Sequence, residues 1–180
     1  MFTRCMPTVV VVVLAMVAGA ARADVRQSAP DGFLVGYTRT VATSPAKAFA
    51  AVVDVGRWWN PEHSYSGNAA NLTLKAEAGA CFCETWEGNS VRHGTVIMAL
   101  RDQVLRIDGA LGPLQAMAVT GILTIGLKAE GAGTTVTLLY RVNGAAASAL
   151  DKLAPDVDAM LGEQFARLTS VMATGKPTSP

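Results

Sequence analysis

A long amphipathic helix closes a chain whose body reads almost entirely as β-strand, and that combination limits the fold more than any other feature. On a wheel turning ~100° per residue, the segment from Pro155 to Ala173 puts Val157, Met160, Leu161, Phe165, Leu168, Val171 and Met172 on one side. Asp156, Asp158, Glu163, Arg167 and Ser170 fall on the other. Pro155 suits a first helical turn, and Gly175 stands where a left-handed capping residue is wanted. Glu163 precedes Arg167 by one helical turn, which predicts a weak ion pair on the wet face. The apolar stripe must lie against something, and the rest of the chain offers a sheet.

Strands follow one another with short turns. Phe33, Val35, Tyr37 and Val41 alternate with Leu34, Gly36 and Thr38 after a short polar lead, Asp24 to Asp31. Ser44-Pro45 then caps and opens a short helix through Phe49 and Val52; Val55-Gly56 ends the helical pair and delivers Trp58-Trp59. Asn60 to Asn71 is loop-like. Strands are predicted at Leu72 to Ala76, Ala80 to Trp86, Val91 to Leu100, Val104 to Ala110, Val119 to Ala129 and Thr135 to Val142. Leu111-Gly112-Pro113 is a connector. The reading is α+β: one antiparallel sheet with helices on one side.

The first residues belong to no fold. Arg4, the uncharged apolar run from Thr8 to Ala20, and Ala21-Arg22-Ala23 make a signal peptide over residues 1–23, with cleavage before Asp24. The expected product is one exported domain, 24–180, periplasmic or secreted, with no stable membrane span after processing. The chain carries 15 basic and 14 acidic residues; without Arg4 and Arg22 the balance is 13 to 14. A near-neutral chain with no Lys/Arg run argues against nucleic acid. Cys81 and Cys83, same-face neighbours about 7 Å apart on a regular strand, are expected as buried small hydrophobes. A strained disulfide and half of a soft metal site remain the alternatives.

In this order the pieces resemble the START-related helix-grip (SRPBCC) superfamily. The nearer branches are those of polyketide cyclase/dehydrase-type and Hsp90 ATPase activator homologue-type domains. The resemblance spans roughly Gly32 to Gly175. It rests on Ser44-Pro45-Ala46-Lys47-Ala48-Phe49, Trp58-Trp59, Gly79-Ala80-Cys81-Phe82-Cys83-Glu84, Leu111-Gly112-Pro113-Leu114-Gln115 and Gly133-Thr134-Thr135-Val136-Thr137-Leu138. It implies a helix-grip fold: a curved antiparallel sheet of about seven strands wrapped around the long C-terminal helix, with two short helices after the first strand. It also implies a cavity between sheet and helix that takes an apolar or amphipathic small molecule or lipid. An exported chain meets no Hsp90, so that activity is not carried over.

Three groups of residues could line such a cavity. If Trp86 faces Val91 across a Glu87 to Ser90 turn, then Glu84 faces His93 and Phe82 faces Thr95, all on one face. On the concave side Glu84 and His93 form a general acid/base pair or a polar anchor. On the convex side they form a solvated salt bridge, and Cys81, Cys83 and Gly94 face the core instead. Trp58, Trp59, His63 and Tyr65 suit the pocket mouth, with one tryptophan plugging the core and the other at the entrance. From the helix, Leu161, Gln164 and Phe165 are the expected lining. Gln164 stands mid-stripe and needs a partner, either sheet backbone or cavity, because a buried amide without one costs ~1–3 kcal/mol. Arg106 and Asp108 read as solvated same-face charges. No metal site is expected: Cys83 and His93 would point to opposite faces, and no zinc-type spacing is present. No cofactor motif appears.

The leading expectation is therefore an exported binding protein for an apolar or amphipathic small molecule. A cofactor-free cyclase, dehydratase or isomerase, with His93 as base and Glu84 orienting it, is the second. An interaction domain using a sheet edge or the Trp58-Trp59 loop is the third.

Overall fold

The computed structural model describes residues 25–178, so the expected signal peptide lies outside them. Period-two alternation decides the sheet. In β2 (Gly32–Val41), Phe33, Val35, Tyr37 and Val41 are buried while Leu34, Thr38 and Thr40 are not. The same pattern runs through β7 (Thr120–Glu130) and β8 (Gly133–Asn143). With β3 (Leu72–Leu74), β4 (Cys81–Trp86), β5 (Asn89–Leu100) and β6 (Val104–Asp108) they form one antiparallel curved sheet of eight strands. The spatial order is β1-β2-β8-β7-β6-β5-β4-β3. The strand beyond the expected seven is β1 (Val25–Ala29), which pairs with β2 at the edge. It lay in the polar lead because nearly all its side chains are exposed. Backbone pairing alone makes it a strand, and no apolar alternation announces it.

Pro45–Val53 forms α1, capped as expected by Ser44, whose hydroxyl accepts from the Lys47 N–H. The second short helix is only a 3-10 turn, Val55–Arg57. It brings Trp58 and Trp59 inward.

The closing helix, α2, spans Leu150–Thr174 and so begins ahead of Pro155. Ala149 turns the chain in the left-handed region and Leu150 is fully buried, anchoring a first turn that the sequence pattern hid. Pro155 removes one backbone donor near the start, which the packed helix tolerates. Gly175 ends it with φ 79° and an N–H bond to the Val171 carbonyl, as expected. The helix lies across β1, β2 and β8. Leu161, Gln164, Phe165 and Leu168 all have 0% exposure, and Phe165 stacks on Tyr37 at 5.5 Å. The space beneath these residues is filled by side chains. Among the described residues no cavity opens beneath these side chains, where one was expected; a pocket lies on one flank, beside Met160.

Candidate functional site

The β4–β5 hairpin turns on two residues, Glu87 and Gly88, with φ 46° and 81°. Such left-handed pairs match the twist of the flanking strands. The expected four-residue turn is thereby corrected, and the register moves by two: Glu84 faces Val91, Trp86 faces Asn89, and Phe82 faces Gly94. Farther along, Cys83 pairs with Arg92 while Phe82 pairs with Gly94, leaving His93 as an extra residue in β5. This bulge puts both His93 and Gly94 on the buried face with Phe82 and Glu84. Gly94 is thus not on the cysteine face. The expected Glu84–His93 contact exists, though diagonally across the strands and not between facing residues: His93 Nε2 lies 3.0 Å from Glu84 Oε2.

Cys81 and Cys83, on the convex face, are joined by a disulfide. Their Cα atoms are 5.3 Å apart, less than the ~7 Å of an extended strand. The preferred reading of two free buried thiols is corrected.

Glu84 is fully buried, and three hydrogen bonds define its state. Burial pushes its carboxyl up, but hydrogen bonds from Ser66, from the Tyr65 N–H and from His93 outweigh burial and hold it below the usual range. Burial pushes the His93 imidazole down, and the Glu84 contact recovers only part of that. The pair is a carboxylate beside a neutral imidazole. Because a carboxylate only accepts, Nε2 carries the hydrogen. Nδ1 is left with its lone pair; it has no protein partner among the described residues and is not sealed from solvent.

A second set of contacts runs from α2 to the aromatic loop. Arg167 Nε donates to the Trp58 carbonyl at 2.8 Å. Gln164 Oε1 accepts from the Asn60 N–H at 2.8 Å. Glu163 accepts from Asn60 Nδ2 at 2.6 Å and meets His63 Nε2 at 3.2 Å. The expected Glu163–Arg167 ion pair is absent among the described residues, because both side chains turn to the loop and Arg167 is buried. Gln164 finds loop backbone rather than sheet backbone or cavity, and its Nε2 has no partner among the described residues. Trp58 plugs the core at 2% exposure, while Trp59 faces the pocket. That division was expected. With both tryptophans buried, the pair offers no exposed docking surface.

The pocket has a volume of about 370 Å³. Of the expected residues it is lined by Trp59, His63, Tyr65 and His93. Phe82 backs it, with its ring 4.9 Å from His93 and 5.6 Å from Trp59, and Glu84 stands behind His93. Trp86 stands at the hairpin end, and Trp58, Leu161, Gln164 and Phe165 belong to the core; none of these five lines the pocket. Leu111, Gly112 and Pro113 form the opposite wall, with Glu62, Ser64 and Met160 completing it. These six were not singled out as site residues. Tyr140 holds that wall: its hydroxyl accepts from the Leu111 N–H at 2.9 Å and donates to the Gly109 carbonyl at 3.1 Å. Tyr65 spans the mouth, its hydroxyl 3.3 Å from the Gly112 carbonyl.

Among the described residues no group of three or more His, Cys, Asp or Glu side chains is placed to hold a metal. Arg106 faces the convex side, where Nε donates to the Thr124 hydroxyl.

No protein-family model and no curated protein matches the sequence. Solved structures do match in fold. DynU16, from the dynemicin biosynthetic locus, is 18% identical with a TM-score of 0.59, over 80% of this chain and 48% of that one. CalU16 from Micromonospora echinospora is 15% identical with a TM-score of 0.55, over 82% and 78%. The Aha1 dimer from Colwellia psychrerythraea gives 14%, 0.55, 79% and 98%. At such identities the match establishes the architecture alone: the chain has the helix-grip fold, as the START-related resemblance implied.

Proposed function

We propose that this chain is a binding protein for an apolar or amphipathic small molecule, held in the pocket between the Trp59 to Tyr65 loop, the Leu111 to Pro113 wall and Met160. One observation carries the reading. An apolar pocket of about 370 Å³ has a single buried polar group at its base, His93, held in one orientation by Glu84. Binding pockets combine apolar walls with a few fixed polar groups in this way. We also propose export, from the charge and apolar pattern of residues 1–23 and from the Cys81–Cys83 disulfide, which suits an oxidising compartment. Native mass spectrometry of the protein purified from its own host tests the binding reading. A bound mass, lost with a bulky side chain at Gly112, is expected; a chain that never carries one overturns it.

A second reading, a cofactor-free cyclase, dehydratase or isomerase, draws on the same pair. Glu84 holds Nε2–H, which leaves the Nδ1 lone pair as the basic atom of a ring that lines the pocket, and a general base must reach its proton directly or through one water. The depressed basicity of His93 weighs against this and favours the role of hydrogen-bond anchor. Loss of turnover in His93→Ala, with ligand affinity retained, would reverse that order.

A further inference from the structure

We propose that this pocket selects an uncharged aromatic molecule bearing a hydroxyl group, and rejects carboxylate lipids. This deepens the binding reading and rests on it.

The polarity of the anchor comes first. Glu84 can only accept, so the His93 hydrogen sits on Nε2 and points away from the cavity. What His93 offers a ligand is the Nδ1 lone pair, which needs a donor. A phenol or alcohol supplies one. A carboxylate at neutral pH does not, and would place its own lone pairs against that of Nδ1.

The charges nearby point the same way. No Lys or Arg lines the pocket. Glu62 is on the lining, Glu84 lies directly behind His93, and Glu163 sits 3.2 Å from His63. An anion entering would find carboxylates and no Lys or Arg to offset them.

Shape narrows the class further. Trp59 and Tyr65 present aromatic rings, and the Tyr65 ring lies 5.8 Å from that of His93. Flat ring faces favour offset or edge packing by another ring. A volume of about 370 Å³ is near the lower end of ligand pockets, which run from ~300 to ~1,000 Å³. That suits a two-ring compound better than a long acyl chain.

Three probes of one shape test the selection: 4-phenylphenol, biphenyl and biphenyl-4-carboxylate, titrated into the full chain at neutral pH by calorimetry and tryptophan fluorescence. The phenol should bind about tenfold more tightly than either of the others, the value of one well-made hydrogen bond. It should also move the nitrogen-15 resonance of His93 Nδ1 in the unmutated protein, a readout independent of any variant's folding. His93→Phe should bring the phenol and biphenyl to equal affinity. Carboxylate binding as tight as the phenol, phenol binding that leaves Nδ1 unmoved, or no binding by any of the three overturns the proposal. If none binds but protein from the host carries a ligand, the class is wrong and the pocket reading stands. If the host protein is empty as well, both fall.

Discussion

The side-chain oxygen of Gln164 accepts the backbone N–H of Asn60 at 2.8 Å, tying the middle of α2 to the residue that follows Trp59. Arg167 does the same one turn later, for the Trp58 carbonyl, and Glu163 holds the Asn60 and His63 side chains. One polar strip of the helix thus fixes the loop that supplies the pocket's aromatic wall. The helix shapes the site through that loop and not by roofing a cavity.

Gln164→Ala should therefore destabilise the protein and loosen the loop together. It orphans a buried N–H, at ~1–3 kcal/mol, and leaves a void among side chains with no exposure. A total loss of roughly 2–4 kcal/mol is expected by chemical denaturation. Gln164→Leu should lose less, since it fills the space and removes the unpartnered Nε2. Both should alter tryptophan emission. If Gln164→Leu leaves emission unchanged, the Asn60 bond does not position Trp59.

Glu84 and His93 should make stability fall in two stages on acidification. Burial lowers the His93 pKa below its ordinary 6.5. Between those values the unfolded chain binds more protons, so stability is lost as pH drops from about 6.5 towards the folded value. Glu84 is also held low, below its ordinary 4.5, and its contribution is lost as pH falls from there through the folded value. One proton limits each slope to about 1.4 kcal/mol per pH unit. His93→Gln should remove the upper stage in a denaturation series across pH and leave the lower one. An unchanged upper stage would assign it to another group.

How far the sequence foretold this site depends on which physical rule each residue obeyed. Alternation placed the core strands because one face is buried and the other wet. β1 escaped because its side chains are exposed and only its backbone is paired. The hairpin register failed on Glu87, a residue without special freedom that nonetheless adopts positive φ. The His93 bulge is a property of strand pairing, and no pattern along one strand records it. Yet Glu84 and His93 still meet, since a shift of two residues leaves both side chains on their own face. Arg167 read as solvated because a wheel cannot show that a loop carbonyl waits beside it. Leu111 to Pro113 gave no chemical signal, for their place is set by a distant hydroxyl, that of Tyr140.

Removing the Cys81–Cys83 bridge should cost little. The ring it closes spans only two residues of separation, and the loop-entropy relation gives roughly 1–2 kcal/mol for so short a loop. Both cysteines are half-buried on the face opposite His93. Denaturation with and without a dithiol reductant, and of the Cys81→Ser/Cys83→Ser chain, should show that small loss with ligand affinity kept. Lost affinity would mean that the bridge holds β4 in the register on which the pocket depends.

Gly109→Ala should damage the site more than any other single methyl group. A Cβ at Gly109 would run into the His93 carbonyl oxygen and lie 2.8 Å from the Gly94 Cα, both backbone atoms of the bulge. No flexible side chain is available to yield, so β5 itself must move, and with it His93. Overpacking of this kind costs ~1–3 kcal/mol. Tyr140 adds to the effect, because its hydroxyl is bonded to the Gly109 carbonyl and holds Leu111 in the facing wall. One substitution would disturb both sides of the pocket. Gly126→Ala is the control: a Cβ there meets nothing within 4 Å, so stability should stay within ~0.5 kcal/mol. Denaturation of the two variants, with the His93 ring resonances followed by NMR, separates the outcomes. Equal stability and an unmoved His93 in Gly109→Ala would show that the bulge has slack, and that the glycine at 109 is not what places the imidazole.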